Sequence, residues 1–261
     1  MSGINRLRAA GAVAIALMSG PALAVTGPVP TGTDGPGGVF LSVWNSSVSV
    51  VTYLGQTLDK FGVDAVASGN VQGTPGDGYL EYMTSLAVFG GNLTGVNYAV
   101  TAAKFNGLDP RSWETQFTSK ADSIGFMDGS QISGANSAIT QFLIRVNNDC
   151  KTTVPCQATS ATAGSFAGAF VEFMNPSLPV NSDAAIGTPM SFFRAFGTSD
   201  LEGDPVTVQR YGNLLGATVV NLDAEGKLTF TTPIPLPAAA WLLISGLLGV
   251  VTLGRRRQAN A

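Results

Sequence analysis

From Val39 onward, short runs of β-favouring apolar residues alternate with clusters of Gly, Asn, Asp and Pro, the pattern of strands joined by tight turns. The runs fall at Val39 to Trp44, Val48 to Leu54, Tyr79 to Phe89, Val96 to Phe105 and Trp113 to Thr118. They resume at Ser165 to Met174, Met190 to Phe196, Val206 to Tyr211, Ala217 to Leu222 and Lys227 to Thr232. Within them the period is two, so Tyr98, Val100 and Ala102 are expected on one face of a strand and Ala99, Thr101 and Ala103 on the other. Asp223-Ala-Glu-Gly226 predicts a hairpin turn between the last two runs. One stretch breaks the rhythm. Ile132, Ala135, Ile139, Phe142, Leu143 and Val146 recur every three to four residues and predict a helix over 135–147, with Ser133 or Asn136 to cap it and Asn147-Asn148 to end it. The alternative is a strand through Phe142, Ile144 and Val146. About ten strands and one helix predict a mainly β domain, a β-sandwich or jelly roll, and no solenoid or propeller period is present.

The two ends have a different character. Residues 1–24 read as a secretory signal peptide: Arg6 and Arg8, an apolar stretch from Ala9 to Met18, Gly20-Pro21, then the small-residue cleavage site Ala22-Leu23-Ala24. Residues 25–38 are a Pro/Gly-rich leader, expected to be flexible, and the ectodomain is expected over 39–232. At the other end Ala238 to Leu253 is an uncharged run of about 16 residues, roughly 24 Å as a helix, a short membrane span over 238–254. Arg255, Arg256 and Arg257 behind it favour the cytoplasmic side, which places the body on the far side of the membrane.

Ile234-Pro235-Leu236-Pro237-Ala238, then the apolar run, then the three arginines resemble the PEP-CTERM class of bacterial sorting signals, in its V-P-L-P-A variant, with Ile in the place of Val. The resemblance covers 233–257. It implies recognition by an exosortase, an integral-membrane cysteine transpeptidase, and association with exopolysaccharide and biofilm production. With the N-terminal signal it implies signal peptidase and exosortase as partners, an inner-membrane-anchored precursor, and a cell-surface or extracellular destination.

Composition narrows the chemistry of the body. The chain carries 32 Gly, 14 Pro and only 12% charged residues, which suits an exported β domain. Arg6, Arg8, Arg255, Arg256 and Arg257 lie in the end segments, so the body holds 9 basic against 17 acidic side chains, a net of −8 that disfavours nucleic acid. There is no histidine, which excludes Ser-His-Asp, Cys-His and His-ligated metal chemistry. Cys150 and Cys156, the only cysteines, are expected to pair as a disulfide closing a short loop. No cofactor is expected. Asp200, Glu202 and Asp204 alternate as calcium ligands can, but an EF-hand needs glycine at the sixth loop position, and a solvated turn set by Gly203 and Pro205 is the simpler reading. Trp44, Trp113, Tyr79 and Tyr82 could stack on sugars or fill the core. Asn45-Ser-Ser47 and Asn92-Leu-Thr94 match the N-glycosylation pattern, incidental in a bacterial protein.

The sequence therefore points to an exported surface or matrix protein without catalysis. The alternatives are a carbohydrate-binding module for the exopolysaccharide, which would present at least two exposed aromatic rings, and a carboxylate-dependent glycosidase, which would present a paired-carboxylate cleft.

Overall fold

The computed structural model describes residues 22–23, 29–32, 35–59, 61, 79–105, 107–149, 156–159, 182–213 and 216–233. The predicted strand at Ser165 to Met174 and the predicted span at 238–254 lie outside them. In chain order the strands are β1 (Ala22–Leu23), β2 (Gly38–Trp44), β3 (Val48–Thr57), β4 (Tyr79–Met83), β5 (Asn97–Lys104), β6 (Glu114–Ser119) and β7 (Cys156–Thr159). They continue with β8 (Ala184–Ala185), β9 (Met190–Phe196), β10 (Thr207–Arg210), β11 (Gly212–Asn213), β12 (Gly216–Ala217), β13 (Val219–Leu222) and β14 (Lys227–Thr231). Among the described residues one long helix, α1 (Gly129–Asp149), interrupts them.

Twelve of these strands form one sheet, ten of them in the order β1-β4-β14-β13-β9-β6-β5-β2-β3-β7 with β10 added beside β9 and β8 beside β5, antiparallel except for the β1 and β4 pair. The sheet curls until its ends approach, giving a near-barrel. Thr52 of β3 and Thr84, just after β4, stand near opposite ends of that order, yet their hydroxyls share a buried 2.6 Å hydrogen bond. The curl makes two cores. Leu41 and Val43 of β2, Val100 of β5, Phe192 of β9, Val220 of β13 and Phe230 of β14 fill the inside. Phe40, Trp44, Ala99, Ala103, Phe117 and Phe193 point outward, where α1 covers them with Ile132, Ala135, Ile139, Phe142, Leu143 and Val146. Strand β2 is buried along its whole length because both its faces are covered, and the period-two expectation for β5 holds.

Two forks allow the curl. Strand β5 pairs with β6 through Thr101 to Lys104, but at Asn97 and Tyr98 it pairs with β8. Between them the Val100 N–H, left without a ladder partner, donates to Thr118 Oγ1 at 3.0 Å. Strand β9 likewise pairs with β10 over its second half and β13 at its start, and the Tyr211 N–H donates to the Phe192 carbonyl between them.

The helix begins earlier than its apolar spacing predicts. Asp128 Oδ1 accepts from the Gln131 N–H at 2.9 Å while Gln131 Oε1 accepts from the Asp128 N–H at 3.0 Å, a reciprocal capping box. Neither Ser133 nor Asn136 is the cap. Asn136 lies buried in mid-helix, where it accepts from Thr115 Oγ1 (2.6 Å) and donates to the Lys104 carbonyl (2.8 Å), tying α1 to β6 and β5. Asp128→Ala is expected to lower the unfolding free energy by about 1 kcal/mol. Urea titration measures this, and a change within error would remove the cap from the account.

The leader is docked where it is described. The Val29 N–H donates to Asn147 Oδ1 (2.9 Å), Asn147 Nδ2 donates to the Val29 carbonyl (2.8 Å), and Thr140 Oγ1 donates to the Thr31 carbonyl. Gly32, at φ +85°, and Gly37 press on the Ala103 carbonyl so closely that a Cβ would sit 2.4 and 2.3 Å from its oxygen. The contact is made by backbone, which explains why a stretch poor in large apolar residues can still be fixed. Asn147 thus serves the leader, and α1 runs past it to Asp149. The run predicted as one strand from Tyr79 to Phe89 stops at Met83 and ends in a 3-10 turn at Ala87–Phe89, closed by Gly90 at φ +63°. Asn45 and Asn92 each accept backbone N–H groups two or three residues on, so both glycosylation-like triplets are side-chain-closed turns.

Candidate functional site

Strand β6 turns polar side chains inward: Glu114, Gln116 and Thr118 are all buried against the inner core. Such a row needs partners, and the fold supplies them. Glu114 is met by Arg194 of β9, whose Nε donates to Oε1 at 2.6 Å and Nη2 to Oε2 at 2.8 Å. The two side chains are 8% and 17% exposed, so the pair is desolvated and held by a two-point geometry. The guanidinium also lies 4.5 Å over the Phe196 ring. Gln116 Nε2 donates to the Leu58 carbonyl and to Glu114 Oε1, both at 3.2 Å. Thr118 Oγ1 donates to the Ser182 carbonyl while accepting from Val100.

Tyr211 stands close to this pair and stacks on Phe192 with centroids 5.0 Å apart. Burial holds its phenol well above the ordinary tyrosine range; the Glu114 charge adds to the shift and Arg194 opposes it. Burial likewise raises Tyr82 and Tyr98. Tyr98 donates to the Thr188 carbonyl at 2.7 Å, whereas the Tyr211 hydroxyl, the Tyr82 hydroxyl and Gln116 Oε1 are buried without a hydrogen-bond partner. Both Glu114 oxygens accept from Arg194, so the arrangement ties β6 to β9.

The residues singled out from the sequence are dispersed. Trp44, Trp113 and Tyr82 are buried, Trp113 stacking on Phe105 at 5.1 Å and donating Nε1–H to the Gly107 carbonyl. The side chain of Tyr79 lies outside the described residues. Asp200, Glu202 and Asp204 form a turn seated on the start of α1. The Gly129 N–H donates to the Asp204 carbonyl (3.2 Å) and the Ser130 N–H to that of Glu202 (2.9 Å), which satisfies helix amides that have no partner within the helix. A Cβ at Gly129 would lie 2.6 Å from the Glu202 oxygen. The Asp204 carboxylate accepts from Ser199 Oγ at 2.6 Å. Among the described residues no group of three or more Asp, Glu, Cys or His is placed to hold a metal ion.

Cys156 opens β7, but Cys150 lies outside the described residues, among which no disulfide is seen. Ala22 pairs in register with Tyr82 through β1, and Ala24 lies outside. The sorting residues Ile234, Pro235, Leu236, Pro237 and Ala238, with Arg255, Arg256 and Arg257, also lie outside. No helix of the described residues is long and apolar enough to cross a membrane. Comparison with models of known protein families, with curated proteins and with solved structures finds no match.

Proposed function

We propose that this chain is an exported cell-surface or extracellular-matrix protein, associated with exopolysaccharide or biofilm, that is sorted through its C-terminal tail and works without catalysis. The observation that carries the proposal is the order of the tail: a proline signature at Ile234, an apolar run and Arg255 to Arg257. The last strand ends at Thr231, so that signature follows almost directly on the sheet. In this reading the body is a jelly-roll-like sandwich, Cys150 and Cys156 form a disulfide, and the tail holds the precursor in the inner membrane until an exosortase acts. The carbohydrate-binding reading has less support, because Trp44, Trp113 and Tyr82 are occupied in the core. The glycosidase reading has less still, since Glu114 is engaged by Arg194.

Intact-mass measurement of the protein released by its host tests this directly. The expected mass corresponds to a start at Val25 and loss of the tail. A released form that still carries Ala238 to Arg257 overturns the sorting proposal.

A further inference from the structure

We propose that one end of the molecule is a docking surface for a basic, amphipathic peptide segment of another protein. Three loops build this end. The Val206 N–H donates to the Met127 carbonyl at 3.0 Å, Asp128 and Pro205 form a bridge, and Ser130 is bonded to Glu202, which joins the loop before α1 to the 197–206 loop. The Gly197 N–H donates to the Trp113 carbonyl at 3.2 Å, and a Cβ on Gly197 would lie 2.1 Å from the Pro110 oxygen, which brings in the 107–113 loop.

Each loop raises a large apolar side chain into solvent: Leu108 is 92% exposed, Phe126 72% and Leu201 62%. They are the most exposed large apolar side chains of the described residues. A single exposed leucine needs no explanation, but three on loops that meet at one end mark an interaction surface. Asp109, Asp122, Asp128, Asp200, Glu202 and Asp204 lie on the same loops, against two cations, Lys120 and Arg111. Arg111 is bound to Asp109 at 2.8 Å and within the field of Asp200, and carboxylates outnumber cations, so the surface stays acidic.

These features choose the partner. An acidic rim repels anionic lipid, nucleic acid and the same end of a second copy. Sugar recognition favours flat rings, and Phe126 is the only ring among these three exposed side chains. A helix or strand with leucine on one side and arginine or lysine beside it satisfies both the apolar tips and the carboxylates.

Fluorescence anisotropy on the full-length chain tests this with three labelled peptides that share one leucine face and carry arginine, glutamine or glutamate on the other. The arginine peptide is expected to bind at least about tenfold tighter than the others, and to weaken by about tenfold as ionic strength rises from about 0.05 to 0.5 M. Leu108→Ser with Phe126→Ser and Leu201→Ser is expected to reduce arginine-peptide affinity by about tenfold, while Ile144→Ser, an exposed apolar site on α1, leaves it unchanged. Equal binding of the three peptides, an unaffected triple variant, or the same loss in Ile144→Ser overturns the proposal. So does a cationic chitosan oligomer that binds where the arginine peptide does not, because the partner is then a polysaccharide.

Discussion

Glu114→Ala is expected to destabilise the protein by about 3–5 kcal/mol, the cost of leaving a buried partner charge uncompensated. The Arg194 guanidinium, 17% exposed, would keep the Phe196 ring and lose both carboxylate bonds. Gln116 Nε2 would lose one acceptor and retain the Leu58 carbonyl. Arg194→Ala is expected to cost a similar amount by stranding the carboxylate. Replacing both, Glu114→Leu with Arg194→Met, should recover most of the loss, because two uncharged side chains of similar length need no counter-charge. Urea denaturation of the three variants checks this. A loss below about 1 kcal/mol in Glu114→Ala would place the pair with exposed ion pairs of little energetic consequence.

The second large effect is expected at Phe192. Its ring sits inside the curl of the sheet, stacked on Tyr211 and edge-on to Phe61 and Phe230, with centroids 5.0 to 5.7 Å away. Phe192→Ala removes the shared partner of these rings and should cost about 3–5 kcal/mol, with the spread set by how far the cavity collapses. Phe192→Leu, which keeps most of the volume, should cost less than half as much. The Tyr211 N–H bonds the Phe192 backbone carbonyl, so the fork of β9 survives the substitution. Thermal and urea unfolding distinguish the two variants, and equal losses would mean that the ring contacts, which both variants lack, outweigh the volume that leucine retains.

Much of the fold is legible in the sequence because burial imposes a period. Strand β5 alternates Tyr98, Val100 and Ala102 against Ala99 and Ala103 between two cores, and the apolar positions of α1 from Ile132 to Val146 are the ones that cover the sheet. The helix start is hidden by Gly129 and Ser130, poor helix formers, and Gly129 is required because the Glu202 carbonyl leaves no room for a side chain there. Asp128 and Gln131 do carry the signal, a cap residue with a glutamine three positions on. Two-residue strands such as β8 and β11 have no period to read.

The polar cluster is harder to foresee. Glu114 and Arg194 are lone charges of opposite sign in runs rich in aromatic residues, Trp113 to Phe117 and Phe192 to Phe196. That hint raises the question of a buried pair, but only the register placing Glu114 opposite Phe196 and Gln116 opposite Arg194 answers it. The docking of the described part of the leader is hard to foresee for a related reason: its hold on the body runs through carbonyls and N–H groups that composition does not reveal.

The place of β14 in the sheet bears on how the body would carry load. Along its whole length β14 is bonded on one side to β4 and over most of it on the other to β13, and just beyond it Thr218 and Thr232 share a 2.7 Å hydrogen bond. If the protein is tethered through its tail, a pull at Pro233 runs along this strand and strains both ladders together in shear. Shear shares the load across many bonds at once, whereas peeling would break them in turn, so drag on the body would have to overcome the whole seam before the sheet opened.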